Sequence, residues 1–207
     1  AELECDANWD GIGIDQGNAI SPMCLNVRLH WLHDRIIEAD VRVPSWYRYA
    51  DNVLYAARDV REGREALRRV RQLFSSSEFE LKGGPEGDIV NLRAGEVLHT
   101  LGFSIQWTQT GWEIDPCKDT WDALSESFTE AHRTDTPSSN AVAALRGWIA
   151  FNGPIFTVRS ASELVPRILT TAAQLGFREI GTHSEIASWM QDAHASWLEV
   201  MHVASSL

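Results

Sequence analysis

A tight turn between two β-prone stretches constrains the fold of this chain more than any other local feature. Between residues 45 and 56, two β-prone stretches rich in aromatic residues flank an Ala50-Asp51-Asn52 centre. Such residues favour strands, whereas Asp and Asn favour turns. The pattern therefore predicts an antiparallel hairpin over residues 45–56, with Asp51 exposed at its tip.

Helical periodicity precedes and follows this hairpin. Apolar residues recur at helical spacing from residue 18 to residue 39, and again from residue 60 to residue 74. In the first helix, Ser21 is placed to cap the N-terminus, and Pro22 suits the first turn. The apolar residues of that helix form two neighbouring lines: Met23, Val27 and Trp31, and then Leu25, Leu29, Leu32 and Ile36.

The rest of the chain changes from short strands to helices. Strand-like pieces are predicted at residues 79–82, 89–93, 98–106 and 111–114, and helices at about 119–132, 140–151, 161–176 and 183–203. This order predicts an α+β fold, with a first domain over residues 1–115 and a helical domain over residues 116–207.

Composition excludes some classes of protein. No apolar run approaches the roughly 18 residues that a membrane span needs, so no membrane association is expected. Three widely spaced cysteines argue against a disulfide framework and for the reducing cytoplasm. The net charge of −11 disfavours a strongly basic nucleic-acid groove, and the six arginines between Arg58 and Arg71 are interleaved with Glu62 and Glu65. We interpret that run as a solvated helix face with internal ion pairs.

Two segments carry the functional signal. The first reads Gln16-Gly17-Asn18-Ala19-Ile20-Ser21-Pro22 and continues to Asn26, and the second reads Tyr49-Ala50-Asp51-Asn52. The first resembles the Gln-Gly…Ser-Pro…Asn motif of bacterial reverse transcriptases related to group II introns and retrons, and the second resembles their Tyr-X-Asp-Asp box. Helix 60–74, Lys82, Leu101-Gly102-Phe103 and Arg146-Gly147-Trp148 follow in the order of that family, so the likeness covers roughly residues 11–155.

The resemblance implies the C-terminal part of a right-hand polymerase palm followed by an α-helical thumb. It implies two-metal nucleotidyl transfer with Mg²⁺, in which Asp51 is the metal ligand and Asn52 and Lys82 complete the catalytic set. It further implies three groups of binding residues and a set of ligands. The nucleotide or template is contacted by Gln16, Gly17, Asn18, Ser21 and Tyr49, and the primer grip is formed by Leu101, Gly102 and Phe103. Nucleic acid is contacted by Arg133, Arg146, Arg159 and Arg167. The expected ligands are dNTPs, an RNA template, a DNA product and a structured non-coding RNA.

The chain departs from the family in two places. Asn52 stands where the second aspartate of the box is usual, and its neutral carbonyl oxygen is a weaker metal ligand. Family members also carry an earlier metal-binding aspartate, and Asp6 and Asp10 lie too close to Gln16 to fit a strand exit, a helix and a loop between them. We therefore expect a separate polypeptide to supply the fingers and the first palm aspartate.

Alternatives to an active reverse transcriptase stay open on the sequence. A reverse-transcriptase-like remnant without catalysis would serve as an RNA-binding or assembly scaffold. A template-independent DNA polymerase would keep the chemistry without copying. Kinship to stand-alone bacterial members implies anti-phage defence. In the thumb region, a plain helical bundle explains the apolar spacing of Trp121, Leu145, Trp148, Leu164, Ile168, Leu175, Trp189 and Leu198 equally well.

Overall fold

The chain divides by its internal contacts into two units, Ala1–Asn91 and Leu92–Leu207. The computed structural model describes residues 19–75, 77, 81, 88–157 and 161–204. These residues form helices together with one antiparallel sheet of two strands and one of three. The α+β class predicted from the sequence is therefore confirmed.

The first unit contains a segmented helix, a hairpin and a long helix. Its elements are α1 (Ser21–Leu29), a π-helical segment (His30–Asp34), α2 (Arg35–Glu38), β1 (Ser45–Tyr49), β2 (Asn52–Ala56) and α3 (Val60–Phe74). The hairpin and the α3 helix have the bounds that the sequence predicts. The single helix predicted over residues 18–39 is instead interrupted by the wider π-helical turn.

The start of α1 differs from the prediction by one residue. Ile20, not Ser21, occupies the N-cap position and makes no side-chain capping bond, while Pro22 lies in the first turn as expected. The N–H of Cys24 donates to the carbonyl of Ile20 at 3.0 Å, so the helical hydrogen bonds already begin at Ile20.

A small core forms where these elements of the first unit meet. It contains the buried side chains of Leu29, Ile37, Val70 and Phe74, with Trp46 and Tyr55 of the hairpin packed against it. Of the two apolar lines of the first helix, one contributes Leu25, Leu29 and Leu32 to this core, but its fourth member, Ile36, is 45% exposed. The other line is exposed, with Met23 at 62%, Val27 at 55% and Trp31 at 61%.

Glu62 and Glu65 of α3 form ion pairs with arginines at helical spacing, as the sequence predicts. Arg58 pairs with Glu62 at 2.7 Å, and Arg69 pairs with Glu65 at 3.1 Å. Arg68 also pairs with Glu65. These are helical ion pairs on a solvated surface, where each contributes little to stability.

The second unit is a three-stranded sheet with a bundle of helices. Its elements are a 3₁₀ turn (Leu92–Ala94), β3 (Leu98–Thr100), β4 (Phe103–Thr108), β5 (Gly111–Pro116), α4 (Lys118–Ala131), α5 (Pro137–Phe151), a 3₁₀ segment (Gly153–Thr157), α6 (Ala161–Gln174) and α7 (His183–Ala204). The strands follow the order β3-β4-β5, with every neighbouring pair antiparallel. Phe103 and Ile114 of the sheet pack against the helical core, so this sheet belongs with the helices, and the contact boundary lies at Asn91 rather than at residue 115.

Two strand predictions in this region are wrong. Residues 89–93 form no strand, because Leu92–Ala94 is a 3₁₀ turn closed by the N–H of Gly95, which donates to the carbonyl of Leu92. Residues 98–106 are two strands rather than one, because the backbone reverses at Leu101-Gly102. The strand predicted at residues 79–82 lies outside the described residues.

The helical core of the second unit uses nearly all the predicted apolar positions. Trp121, Leu145, Trp148, Leu164 and Ile168 are buried, and Leu175 and Trp189 pack against them. Leu198 is 39% exposed, so its assignment to the core is wrong. Within the described part of the chain, no helix has the length and apolarity to cross a bilayer.

Candidate active site

The tip of the β1–β2 hairpin is a two-residue turn that presents a carboxylate to solvent. Tyr49 pairs with Asn52 across the end of the ladder, which leaves Ala50 and Asp51 as the turn. Ala50 has a φ of 52°, a left-handed conformation that costs a residue with a Cβ roughly 1–2 kcal/mol. Asp51 is exposed, and its Oδ1 lies 3.4 Å from Nδ2 of Asn52. A carboxylate in this position can bind a hard cation or accept a hydrogen bond from a ligand.

Arg48 connects this tip to the first helix. Its Nη1 donates to the carbonyl of Ala50 at 3.0 Å and to Oδ1 of Asn26 at 2.8 Å. Its Nε and Nη2 donate to the carboxylate of Asp34 at 3.0 Å and 2.6 Å. One guanidinium therefore binds the hairpin turn, the α1 helix and the π-helical segment at once, which its fixed fork of donors permits.

A network of hydrogen-bonded side chains continues from Asp34 into the core of the first unit. Nδ1 of His33 lies 2.8 Å from Oδ1 of Asp34, and its Nε2 is hydrogen-bonded to the hydroxyl of Tyr55 on β2. His33 has no exposed surface and Asp34 is 6% exposed. Both residues belong to the π-helical segment, where they are its buried residues.

Burial and neighbouring charges shift the pKa values of Asp34 and Tyr55 in this hydrogen-bonded network. Burial acts to raise the pKa of Asp34, but the hydrogen bonds from Arg48 and His33 outweigh it and lower the pKa below its usual value. Burial, together with the nearby Asp34 carboxylate, raises the pKa of the Tyr55 hydroxyl. Asp34 is thus ionised and paired, and Tyr55 is neutral.

The structure brings part of the first motif to the second. Asn26, at the end of the Gln-Gly…Ser-Pro…Asn segment, shares Nη1 of Arg48 with the turn that contains Asp51. Ser21 lies in the first turn of α1. Tyr49 is 69% exposed beside the turn. Gln16, Gly17, Asn18 and Lys82 lie outside the described residues, as does Arg159.

The segment expected to form a primer grip is also a tight turn. Leu101 has a φ of 50° and Gly102 a φ of 84°, and Thr100 pairs with Phe103 across the turn. The carbonyl of Gly102 accepts from the N–H of Cys117 at 2.9 Å and from Oγ1 of Thr120 at 2.6 Å. The ring of Phe103 stacks on Phe151, with the centroids 5.8 Å apart. Leu101 is 45% exposed at the tip.

The three described arginines of the predicted nucleic-acid surface each contact another side chain of the second unit. Arg133 pairs with Glu130 at 2.8 Å. Arg146 stacks over Trp189 and Arg167 stacks over Trp121, with the guanidinium carbons 4.5 Å and 3.9 Å from the ring centroids. The last two contacts are cation–π interactions, and both arginines are exposed residues.

Sequence reasoning did not single out Arg48 or Asp34, and it considered His33 only as a metal ligand with Cys24 and His30, which it rejected because the three do not share one helical face. The sequence did contain a signal for Arg48. Arg48 lies two residues after Trp46, on the same inward face of β1, and a guanidinium on a buried face requires a carboxylate partner. Its partner could not be found from spacing, since Asp34 lies 14 residues away on another element.

Among the residues that the structure describes, no three His, Cys, Asp or Glu side chains converge as a metal site. Asp51 is the turn carboxylate that could contribute one ligand. Comparison of this chain with protein-family models, with curated proteins and with solved structures finds no match.

Proposed function

We propose that this chain is part of the palm and thumb of an RNA-directed DNA polymerase, with Asp51 as a ligand of catalytic Mg²⁺. The observation that carries the proposal is the meeting of the two motif segments. Asn26, on the helix that follows Gln16-Gly17, and the Ala50-Asp51 turn bind the same Nη1 of Arg48. Asn26 and the turn that contains Asp51 are thus joined through one side chain, which supports a shared role for the two motif segments.

The geometry of the turn suits metal-assisted phosphoryl transfer. Two Mg²⁺ about 4 Å apart stabilise an in-line displacement when hard carboxylate oxygens converge on them. Asp51 projects from a turn whose backbone is set by hydrogen bonds, and its exposure leaves room for a second carboxylate and a nucleotide. In this proposal another polypeptide segment supplies the first palm aspartate, and Asn52 contributes a neutral oxygen beside the metal.

The second unit fits the role of primer grip and thumb in the same proposal. A turn held firmly against α4 at Gly102 would place the exposed Leu101 against the primer end. Arg146 and Arg167 stack on tryptophan rings and are exposed, so in this proposal they would contact phosphates of an RNA–DNA duplex.

The proposal is tested by Asp51→Asn in the complex or polypeptide that contains the first palm aspartate. Loss of the carboxylate removes a metal ligand, so we expect dNTP incorporation on a primed RNA template to fall by about 10²–10³-fold or more. Asp135→Asn, which removes an exposed carboxylate from the loop between α4 and α5, is the matched control and leaves synthesis unchanged.

Three outcomes separate the candidate functions. Synthesis that persists in Asp51→Asn means that Asp51 is not a metal ligand. RNA binding without any synthesis by the wild type favours an assembly scaffold. Product sequencing then distinguishes a copy of the template from untemplated addition.

A further inference from the structure

We infer that Arg48 is a positioning residue: it sets the peptide plane of the Ala50-Asp51 turn relative to the first helix and so aims the Asp51 carboxylate. The inference rests on the proposed function for its catalytic consequence. The positioning itself follows from contacts in the first unit alone. Nothing in the two sequence motifs assigns a role to Arg48.

The hydrogen bond from Arg48 is accepted by the carbonyl oxygen of Ala50, which sets the orientation of the peptide group before Asp51. The carbonyl of Ala50 and the N–H of Asp51 belong to one planar peptide group, so fixing the carbonyl fixes the plane from which Asp51 departs. Ala50 also lies in the left-handed region, where a residue with a Cβ stays only if its surroundings hold it. The hydrogen bond from Nη1 of Arg48 to the Ala50 carbonyl stabilises Ala50 in this conformation.

Arg48 is itself held too firmly to follow a mobile turn. Its side chain is 14% exposed and the Asp34 side chain 9%. Nε and Nη2 bind Asp34 in the bidentate arrangement that a guanidinium and a carboxylate share. His33 in turn orients Asp34 from the opposite side. Three consecutive hydrogen-bonded links therefore connect the turn to the core of the unit: from the Ala50 carbonyl to Arg48, from Arg48 to Asp34, and from Asp34 to His33.

Lysine cannot reproduce this arrangement. It would keep the charge opposite Asp34, but a single ammonium lacks the fork that reaches Asp34, Asn26 and Ala50 together. Asn26 is exposed, and its amide oxygen is the second acceptor for Nη1. Removing that oxygen loosens Nη1 without touching the buried ion pair, so Asn26→Ala is a milder variant that is safe for folding.

The experiment compares Arg48→Lys and Asn26→Ala with Arg42→Lys in the same complex. Arg42 makes the same forked pair with Asp40, at 2.8 Å for both contacts, and lies three residues before the start of the hairpin at Ser45. We expect kcat for dNTP addition to fall about ten- to hundredfold in Arg48→Lys, and about three- to tenfold in Asn26→Ala. KM for the dNTP stays within about threefold, because ground-state binding is not the function lost. Arg42→Lys keeps the wild-type kcat.

Amide hydrogen exchange gives a readout that does not depend on catalysis. We expect exchange at Asp51 and Asn52 to accelerate about tenfold in Arg48→Lys, while amides of the Leu101-Gly102 turn in the same chain stay unchanged as an internal reference. If Arg48→Lys does not fold, the Asn26→Ala result decides.

The outcomes separate this inference from the proposed function. Wild-type kcat and wild-type exchange at the tip in folded variants overturn the inference, even where Asp51→Asn abolishes synthesis. Synthesis that survives Asp51→Asn overturns the proposed function instead. In that case, accelerated exchange at Asp51 still supports positioning by Arg48.

Discussion

The β1–β2 and β3–β4 hairpins both reverse through a residue with a Cβ in the left-handed region, Ala50 at φ 52° and Leu101 at φ 50°. They are stabilised by different forces. The first turn is held by a charged side chain, because Arg48 donates to the carbonyl of Ala50 and is paired with Asp34. The second is held by backbone and hydroxyl donors of α4, which bind the carbonyl of Gly102.

This difference shows how one backbone shape can serve two purposes. A turn tied by a guanidinium depends on ionisation and on a single side chain that reaches across elements. A turn pressed against a helix depends on close approach, since a Cβ on Gly102 would lie 2.9 Å from Oγ1 of Thr120. The guanidinium of Arg48 holds a turn that carries an exposed carboxylate, whereas the close packing of Gly102 fixes the second turn against α4.

The largest effect is expected where close approach is essential. Gly102→Ala strains the backbone and forces the new Cβ against Thr120, so we expect the free energy of unfolding of the second unit to fall by about 2–4 kcal/mol. Gly95→Ala is the matched control, because Gly95 also has a positive φ, 83°, but its added Cβ meets nothing within 4 Å. It should cost about 1–2 kcal/mol. Chemical denaturation measures both.

Equal losses in the two variants would mean that the contact with Thr120 relaxes freely. The second hairpin would then be held by backbone hydrogen bonds alone, and the contrast with the first hairpin would narrow.

A smaller effect is expected from acid, and at the first hairpin. The pKa of Asp34 is lower in the folded protein than its ordinary value, so the folded state gains stability from its ionisation above that ordinary value, near 3.8. This stability is lost as the pH falls through the lower, folded pKa. Loss of a charged hydrogen bond costs about 1.5–3 kcal/mol. The protection of the Asp51 amide, taken relative to its intrinsic exchange rate and followed from pH 6 downward, should fall before that of the Phe103 amide does.

Asp34→Asn should remove this acid-dependent component of the exchange at Asp51. Asp40→Asn serves as the control: Asp40 also has a lowered pKa, through Arg42, but it does not bind Arg48. If both turns lose protection at the same pH, the ion pair does not account for the first one.

The smallest effect is expected from relieving the strain itself. Ala50→Gly and Leu101→Gly each remove the cost of a left-handed Cβ but add unfolded-chain entropy, so each should stabilise its unit by about 0.5–1 kcal/mol or less. Thermal unfolding measures the gain. A destabilised Ala50→Gly would show that Ala50 is not strained in the folded chain.

Much of the local structure could be predicted from the residues in order. The hairpin over residues 45–56 and the helix Val60–Phe74 have the expected bounds, because side-chain period and turn chemistry are properties of neighbours in sequence. The same holds for most apolar positions of the helical bundle. The predictions failed where one stretch concealed a turn, as at Leu101-Gly102, or lacked a pairing partner, as at residues 89–93.

The sequence by itself determined that a carboxylate, Asp51, lies at the tip of a two-stranded hairpin that follows a helical segment. Only the tertiary structure decided what holds that tip. Arg48 meets Asn26 and Asp34 from 22 and 14 residues away, across a π-helical turn that no local pattern announced. Hydrogen bonds between elements depend on where packing places the chain, whereas periodicity records only which face of an element is buried.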